Sequence, residues 1–234
     1  MFSAAEFFSL QQFLHSNLWR QEGFVWEGLS SLENFFQKQT FKIESKLPRN
    51  VFLENEKQIS IGVGVVIEPG VFIQGPCIIG SHCHLRHGAF LRGLVVLGDH
   101  CVVGHGSEVK RSIFMNRAAA AHLCYVGDSI LGSDVNLGAG VKCSNVRLDG
   151  RKISVHHDGV KTETNLRKLG AIVGDGAQIG CNCVLNPGTL IGKKSLVHPL
   201  LNVGGVIPAH VQVRAQRNWV VQPIAEKILE KLLK

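Results

Sequence analysis

Residues 61–109 read IGVGVVIEPGVFIQGPCIIGSHCHLRHGAFLRGLVVLGDHCVVGHGSEV, with an aliphatic residue at every sixth position. The series is Ile61, Ile67, Ile73, Ile79, Leu85, Leu91, Leu97, Val103 and Val109. It resumes as Val173, Ile179, Leu185, Ile191, Val197 and Val203, and the less regular stretch between still offers Val126, Leu131 and Leu137. Glycine follows many of these residues, as at Gly62, Gly80, Gly98, Gly104, Gly174, Gly180 and Gly192. Four places after the aliphatic stands a small or β-branched residue, as at Val65, Val71, Ala89, Ser107, Ala177, Thr189 and Ser195. A period of six predicts an all-β triangular prism, a parallel β-helix. Each unit supplies one short strand and one corner, three units close a coil, and coils stack so that backbone groups pair between neighbours. The aliphatic residue fills the prism, and the small one shares its interior where a larger one would overpack it. The glycines are expected to supply corner conformations that a side chain would penalise.

Outward from the repeats, Ser3-Ala4-Ala5-Glu6 has the form of a capping box opening an aromatic-rich helix through Phe7, Phe8, Leu10, Phe13 and Leu14. A second helical stretch is expected near Trp26 to Phe36. At the other end Ile224, Ile228, Leu229, Leu232 and Leu233 recur at helical spacing among lysines and glutamates. The expected organisation is an N-terminal helical segment at 1–50, a β-helix at 51–215 and a short C-terminal helical tail at 216–234. The helices are expected to cap the open ends of the prism and protect its edge strands.

The chain has 234 residues, enough for one sizeable core. Its net charge of +7 favours anionic partners, whether phosphorylated metabolites, nucleic acid or acidic lipid, but the basic residues form no tract and charge alone does not choose among these; no nucleic-acid partner is expected. The first residues lack a basic segment followed by an apolar run, and no segment is apolar for long enough to span a bilayer, so a cytoplasmic protein with no membrane partner is expected. The seven cysteines include no CxxC pair. Cys77, Cys83, Cys101 and Cys183 fall in the small interior slot and are expected to act as core filler.

Equivalent positions recur every eighteen residues, which stacks Arg92 and Lys110 on one face, and two such cations suit a phosphate group. The stretch that follows contains E-V-K at 108–110, H-L-C-Y-V-G-D-S at 122–129, D-V-N-L-G-A-G at 134–140 and Asn145 ahead of D-G at 149–150. Over roughly residues 60 to 215 the chain resembles the acetyltransferase half of the bifunctional sugar-1-phosphate uridyltransferase/acetyltransferases that make UDP-N-acetylglucosamine. The run from Arg167 to Asp175 resembles their archaeal-type members. The resemblance implies a left-handed winding and an N-acetyltransferase using acetyl-CoA, with glucosamine 1-phosphate as acceptor. His122 would be the general base toward the amine, since imidazole titrates near neutrality. Arg92, Lys110 and Tyr125 would hold the sugar phosphate, and Asn136 would orient the sugar. Asn145 would align the amine or steady the oxyanion. Cys181, Pro199 and Arg217 fall near the acetyl-CoA positions, although Cys181 and Pro199 replace the smaller polar or alanine residues usual there. Such enzymes are trimers with shared sites, so a homotrimer is expected.

Two further departures are Val146, where bacterial members carry tyrosine, and a longer basic segment from Arg151 to Lys168, expected to close over the CoA diphosphate or to extend a coil. Residues 1–60 contain no match to the glycine-rich loop of the nucleotidyltransferase half, so no uridyltransferase activity and no magnesium requirement are expected, and a separate nucleotidyltransferase would supply that step. Two other readings stay open. His82, His87, His100 and His105 allow a zinc site of the kind found in β-helical carbonic anhydrases, which resemble this fold. The departures at Cys181, Pro199 and Val146 allow a non-enzymatic assembly or regulatory subunit. Neither gluco against galacto acceptors nor acetyl against longer acyl donors is decided by the sequence.

Overall fold

The computed structural model describes residues 2–20 and 22–216. Strands are dealt in rotation to three eight-stranded sheets, each parallel throughout. The first sheet contains Phe72–Gln74, Phe90–Arg92, Glu108–Lys110, Tyr125–Gly127 and Lys142–Cys143 among its strands. The second contains Cys77–Ile79, Val95–Leu97, Ile113–Phe114, Ile130–Leu131 and Ala171–Val173. The third contains His84–Leu85, Val102–His105, Ala119–His122, Asn136–Leu137 and Gln178–Ile179. This is the expected parallel β-helix, and the six-residue aliphatic series together with Cys77, Cys83, Cys101 and Cys183 lies buried in one continuous core.

The glycines that follow the aliphatic positions are needed for a different reason from the one expected. None of Gly62, Gly80, Gly98, Gly104, Gly174, Gly180 and Gly192 has a positive φ. They are required because the coil above passes too close: a Cβ on Gly104 would lie 1.6 Å from the carbonyl oxygen of Ala121. Left-handed corners are instead taken partly by residues with side chains, such as His82, His100, Arg117 and Asn182.

The N-terminal segment departs from expectation. The first α-helix is only Ala4–Phe7, with Glu6 Oε1 accepting the backbone N–H of Ser3 at 3.1 Å, and two 3-10 turns follow at Leu10–Gln12 and Ser16–Leu18. The second α-helix, Glu27–Phe36, forms where the sequence places it. Neither caps an end of the prism. Both join a second apolar cluster in which Phe7, Phe8, Trp26, Leu29 and Leu32 bury the outward side chains Ile78, Val96, Ile113, Ile130, Ile172 and Leu190 of the second sheet. A parallel sheet that is aliphatic on both faces must be covered on both, and the aromatic segment supplies the cover. Polar tethers fix it: Ser9 N–H donates to Asp175 Oδ2 at 2.7 Å, and Asn116 Nδ2 donates to the carbonyl of Gln12 at 2.7 Å. The expected C-terminal helix lies outside the described residues. Among the described residues no helix is long and apolar enough to cross a membrane.

The weaker periodicity in mid-chain has a structural cause. The register pairs Glu108 with Phe90, eighteen residues back, but with Tyr125 only seventeen on, and Tyr125 with Lys142 seventeen on. The missing residue falls at the corner between the first and second sheets, because Val109 pairs with Leu91 whereas Ile113 pairs with Val96. Buried serines bridge the shortened corner. Ser112 Oγ donates to the carbonyl of Lys110 at 2.8 Å and accepts from Ser129 N–H at 3.1 Å, and Ser129 Oγ accepts from Ala171 N–H at 3.0 Å. At this same corner, residues 144–170 leave the prism and form an antiparallel hairpin, Ser154–His157 with Val160–Glu163. Ile153 and Val155 bury that excursion in the aromatic cluster, so the basic segment extends no coil.

Candidate active site

Along the corner between the third and first sheets, equivalent residues stack in a row. Leu123 N–H donates to the carbonyl of His105 at 2.8 Å, and Gly140 N–H to that of His122 at 3.0 Å. Asn182 N–H donates to Ala139 at 2.8 Å, and Leu200 N–H to Cys181 at 2.9 Å. His105, His122, Ala139, Cys181 and Pro199 therefore occupy one position on successive coils. With coils ~4.8 Å apart, Pro199 stands about 14 Å along the edge from His122. The imidazole of His122 is exposed, with Nε2 3.5 Å from Nη1 of Arg86. Cys181 is exposed too, unlike the other cysteines. Beside Pro199 is a cavity of about 320 Å³ lined by His198, Pro199, Arg214 and Ala215. Arg217, expected near the same place, lies outside the described residues.

Three residues past His122 the first sheet begins again, and its outer surface carries Arg92, Glu108, Lys110 and Tyr125. The expected phosphate-ready pair of cations is not left open. Arg92 Nη1 meets Glu108 Oε1 at 2.8 Å, and Lys110 Nζ turns to Asp128 Oδ2 at 3.1 Å. Each cation keeps further N–H groups, so both remain able to donate to an anion. Burial pushes the Tyr125 phenol up, which keeps it protonated at neutral pH, and its oxygen lies 3.4 Å from Nδ2 of Asn145.

The corner at the far edge of this sheet holds residues that the sequence reading passed over. Asp128 sits at a left-handed φ of 48° with its side chain only 1% exposed. Its carboxylate accepts from Lys110 Nζ, from Arg111 Nη1 at 3.2 Å and from Asn145 Nδ2 at 2.5 Å. Arg111 also donates to the carbonyl of Leu29 at 3.3 Å, tying the second helix to the cluster. A cavity of about 620 Å³ opens over it, lined by Lys110, Arg111, Asp128, Glu33, Arg167 and Lys168 among others. The basic segment thus closes on this cavity, one sheet away from the row of Cys181 and Pro199. The signal in the sequence was the loss of one residue from the period, which marks a corner with its own geometry.

Asn136 is not gathered with the others. It lies on the third sheet opposite Ala119 and Gln178, on the other side of the His122 corner from Tyr125, Lys110 and Asn145. The four histidines form two pairs at different corners. His82 stacks on His100 between the second and third sheets with ring centroids 5.0 Å apart, and His87 stacks on His105 between the third and first at 5.6 Å. Among the described residues no group of three or more His, Cys, Asp or Glu side chains is placed to hold a metal ion.

Residues 73–167 match the family model of the GMPPB C-terminal domain. The chain is 38% identical over 179 residues to the bifunctional protein GlmU of Methanococcus maripaludis strain C7, covering 76% of this chain and 43% of that protein. It is 39% identical over 92 residues to a bifunctional sugar-1-phosphate nucleotidylyltransferase/acetyltransferase of Sulfurisphaera tokodaii, covering 39% of this chain and 23% of that protein. The chain therefore spans less than half the length of these curated relatives. Among solved structures, the UDP-N-acetylglucosamine acyltransferase of Francisella novicida aligns with a TM-score of 0.42 at 14% identity, over 72% of this chain and 67% of that one.

Proposed function

This chain is a hexapeptide-repeat β-helix related to the bifunctional GlmU proteins, and on that premise we propose that it is an acyl-CoA-dependent N-acyltransferase acting on an amino-sugar 1-phosphate, glucosamine 1-phosphate first. The observation that carries the reading is the row along one corner, where the base position His122 and the donor positions Cys181 and Pro199 line a single straight edge. A thioester seated at His122 would run its pantetheine arm along Ala139 and Cys181, with Arg214 beside the cavity at Pro199 as a partner for the donor's phosphates. Arg92, Lys110 and Tyr125 border the same corner and suit the sugar phosphate.

In the reaction His122 Nε2 takes a proton from the attacking amine as the nitrogen bonds to the thioester carbonyl carbon. The C–S bond then breaks, the proton passes to the departing thiolate, and an amide and a free thiol result. Asn136 lies on the third sheet, apart from Tyr125, Lys110 and Asn145, and a homotrimer whose grooves join the first sheet of one copy to the third sheet of the next would bring it to this site. Light scattering tests that arrangement, and a monomer at micromolar concentration would break it.

The test of the function is thiol release from acetyl-CoA with glucosamine 1-phosphate, in the wild type and in His122→Ala. We expect the wild type to release thiol and the variant to lose about a hundredfold or more. No release with glucosamine, galactosamine or nucleotide-linked acceptors sinks the reading.

A further inference from the structure

The buried carboxylate of Asp128 receives three donors, two from the adjacent Lys110 and Arg111 and one from Asn145, and the last of them settles a question about Asn145. An ionised carboxylate only accepts hydrogen bonds, so the atom of Asn145 that lies 2.5 Å from Asp128 Oδ2 must be the amide nitrogen. The second hydrogen of that nitrogen is directed to the phenol oxygen of Tyr125 at 3.4 Å. Both amide hydrogens are thereby engaged within the protein. The carbonyl oxygen, Oδ1, accepts no hydrogen bond from any described residue, and no buried side-chain oxygen or nitrogen among them is left without a partner. Oδ1 is therefore open to solvent, and what Asn145 offers a ligand is an acceptor.

We propose that Asp128 is a positioning residue that locks the Asn145 amide with its carbonyl oxygen outward, as the acceptor for an N–H of the substrate amine. The proposal rests on the N-acyltransfer reading for the identity of that amine. It decides between the two roles open to Asn145 from sequence: with its donors spent, the amide cannot steady an oxyanion, whereas Oδ1 can hold the amine with its lone pair aimed at the thioester. Lys110 and Arg111 serve the same lock. They supply the opposing charge that lets a carboxylate persist at 1% exposure, and Leu29 holds Arg111 in turn. Asp128 sits at the left-handed, shortened corner, where its side chain is withdrawn from solvent against Lys110, Arg111 and Asn145.

The test uses the intact chain, labelled with ¹⁵N-asparagine, and the Asn145 side-chain signal is assigned by its loss in Asn145→Ser. In the wild type one amide proton of Asn145 is expected well downfield and protected from exchange, with no ligand added. Asp128→Asn should abolish that signature. In turnover the same variant should lower kcat about tenfold or more while the KM for the acceptor moves less than about threefold, because anchoring cations remain and the geometry of attack is lost. The double variant, Asp128→Asn with Arg111→Met, removes one cation with the carboxylate, and it should recover thermal stability without recovering kcat. A purely structural carboxylate would show the reverse, with kcat returning as stability returns. An unprotected Asn145 amide in an active wild type, or a signature that survives Asp128→Asn, overturns the proposal alone. A wild type with the signature but no acyl transfer to any amino-sugar phosphate overturns the acyltransfer reading, and the substrate role of Oδ1 with it.

Discussion

The corners that carry His122 and Asp128 bound the same sheet but are built on opposite rules. At the His122 corner every coil repeats its neighbour, successive residues stack in a row, and the side chains stand in water on a backbone already paired. The Asp128 corner is one residue short, buried serines close its gaps, and an anion with two cations is folded inside it. The proposed function would be superimposed on the fold at the first corner, whereas at the second it would be part of the fold. The same substitution should therefore have different consequences at the two places.

The largest effect expected is on stability at Asp128. Replacing it with leucine leaves Lys110 and Arg111, about one-fifth exposed, with no counter-charge, and should cost about 3–5 kcal/mol. Chemical denaturation measures it. A loss under about 1 kcal/mol would show that the cations swing out to water and that the cluster is not held by the fold. His122→Ala, on the exposed corner, should stay within about 0.5 kcal/mol of the wild type in the same experiment. Its hundredfold effect on thiol release, about 2.7 kcal/mol of activation free energy, would then be a pure effect on chemistry. A matching loss of stability would erase the contrast.

The contrast also explains what was legible beforehand. The period of six displays the core directly, since Ile61 through Val109 all point inward at fixed spacing, and coil geometry follows from counting. His122 stood out through its surrounding residues. The cover on the second sheet was less visible, although pairs such as Ile78-Ile79, Val96-Leu97 and Ile130-Leu131 announce strands that are apolar on both faces. Counting eighteen placed Arg92 against Lys110 correctly but could not reveal that Glu108 and Asp128 already answer those charges. Asp128 itself was hidden because its role depends on a one-residue loss that shifts every later position, and periodic reasoning treats such a loss as noise. Asn136 was gathered with the others by resemblance, while coil geometry sets it on another face.

A thiol placed on the regular corner gives a third probe. Burial pushes Cys143 up to about 12 and moves Cys77 and Cys101 up as well, so these interior thiols should resist alkylation at neutral pH. Cys181 is exposed and two coils beyond His122, so native labelling should modify it alone, as intact mass would show. If the acyl donor lies along the row, CoA at ten times its Kd should slow that labelling about tenfold, following the fraction of free protein. Labelling indifferent to CoA would move the donor off this edge while leaving the account of the Asp128 corner untouched.

The third corner of the prism, between the second and third sheets, separates exposure from regularity as the cause of these differences. Arg117 holds Asp134 there by two hydrogen bonds of 2.6 and 2.8 Å, a better geometry than any single contact of Asp128 with its cations. Both side chains are about half exposed, however, so a double-mutant cycle should give only about 0.2–1 kcal/mol of coupling, and less in high salt. The hydrogen bond from Arg117 holds the Asp134 carboxyl below its ordinary value of 3.8. A depressed carboxyl stabilises the fold most above that ordinary value and loses its contribution as pH falls through the lower folded one. The coupling should therefore be flat from neutrality down to about pH 4 and fade only below it. A coupling above about 2 kcal/mol at neutral pH would mean that bidentate geometry outweighs solvent screening on this scaffold. The cost assigned to Asp128 would then have to be attributed to its hydrogen bonds rather than to its burial.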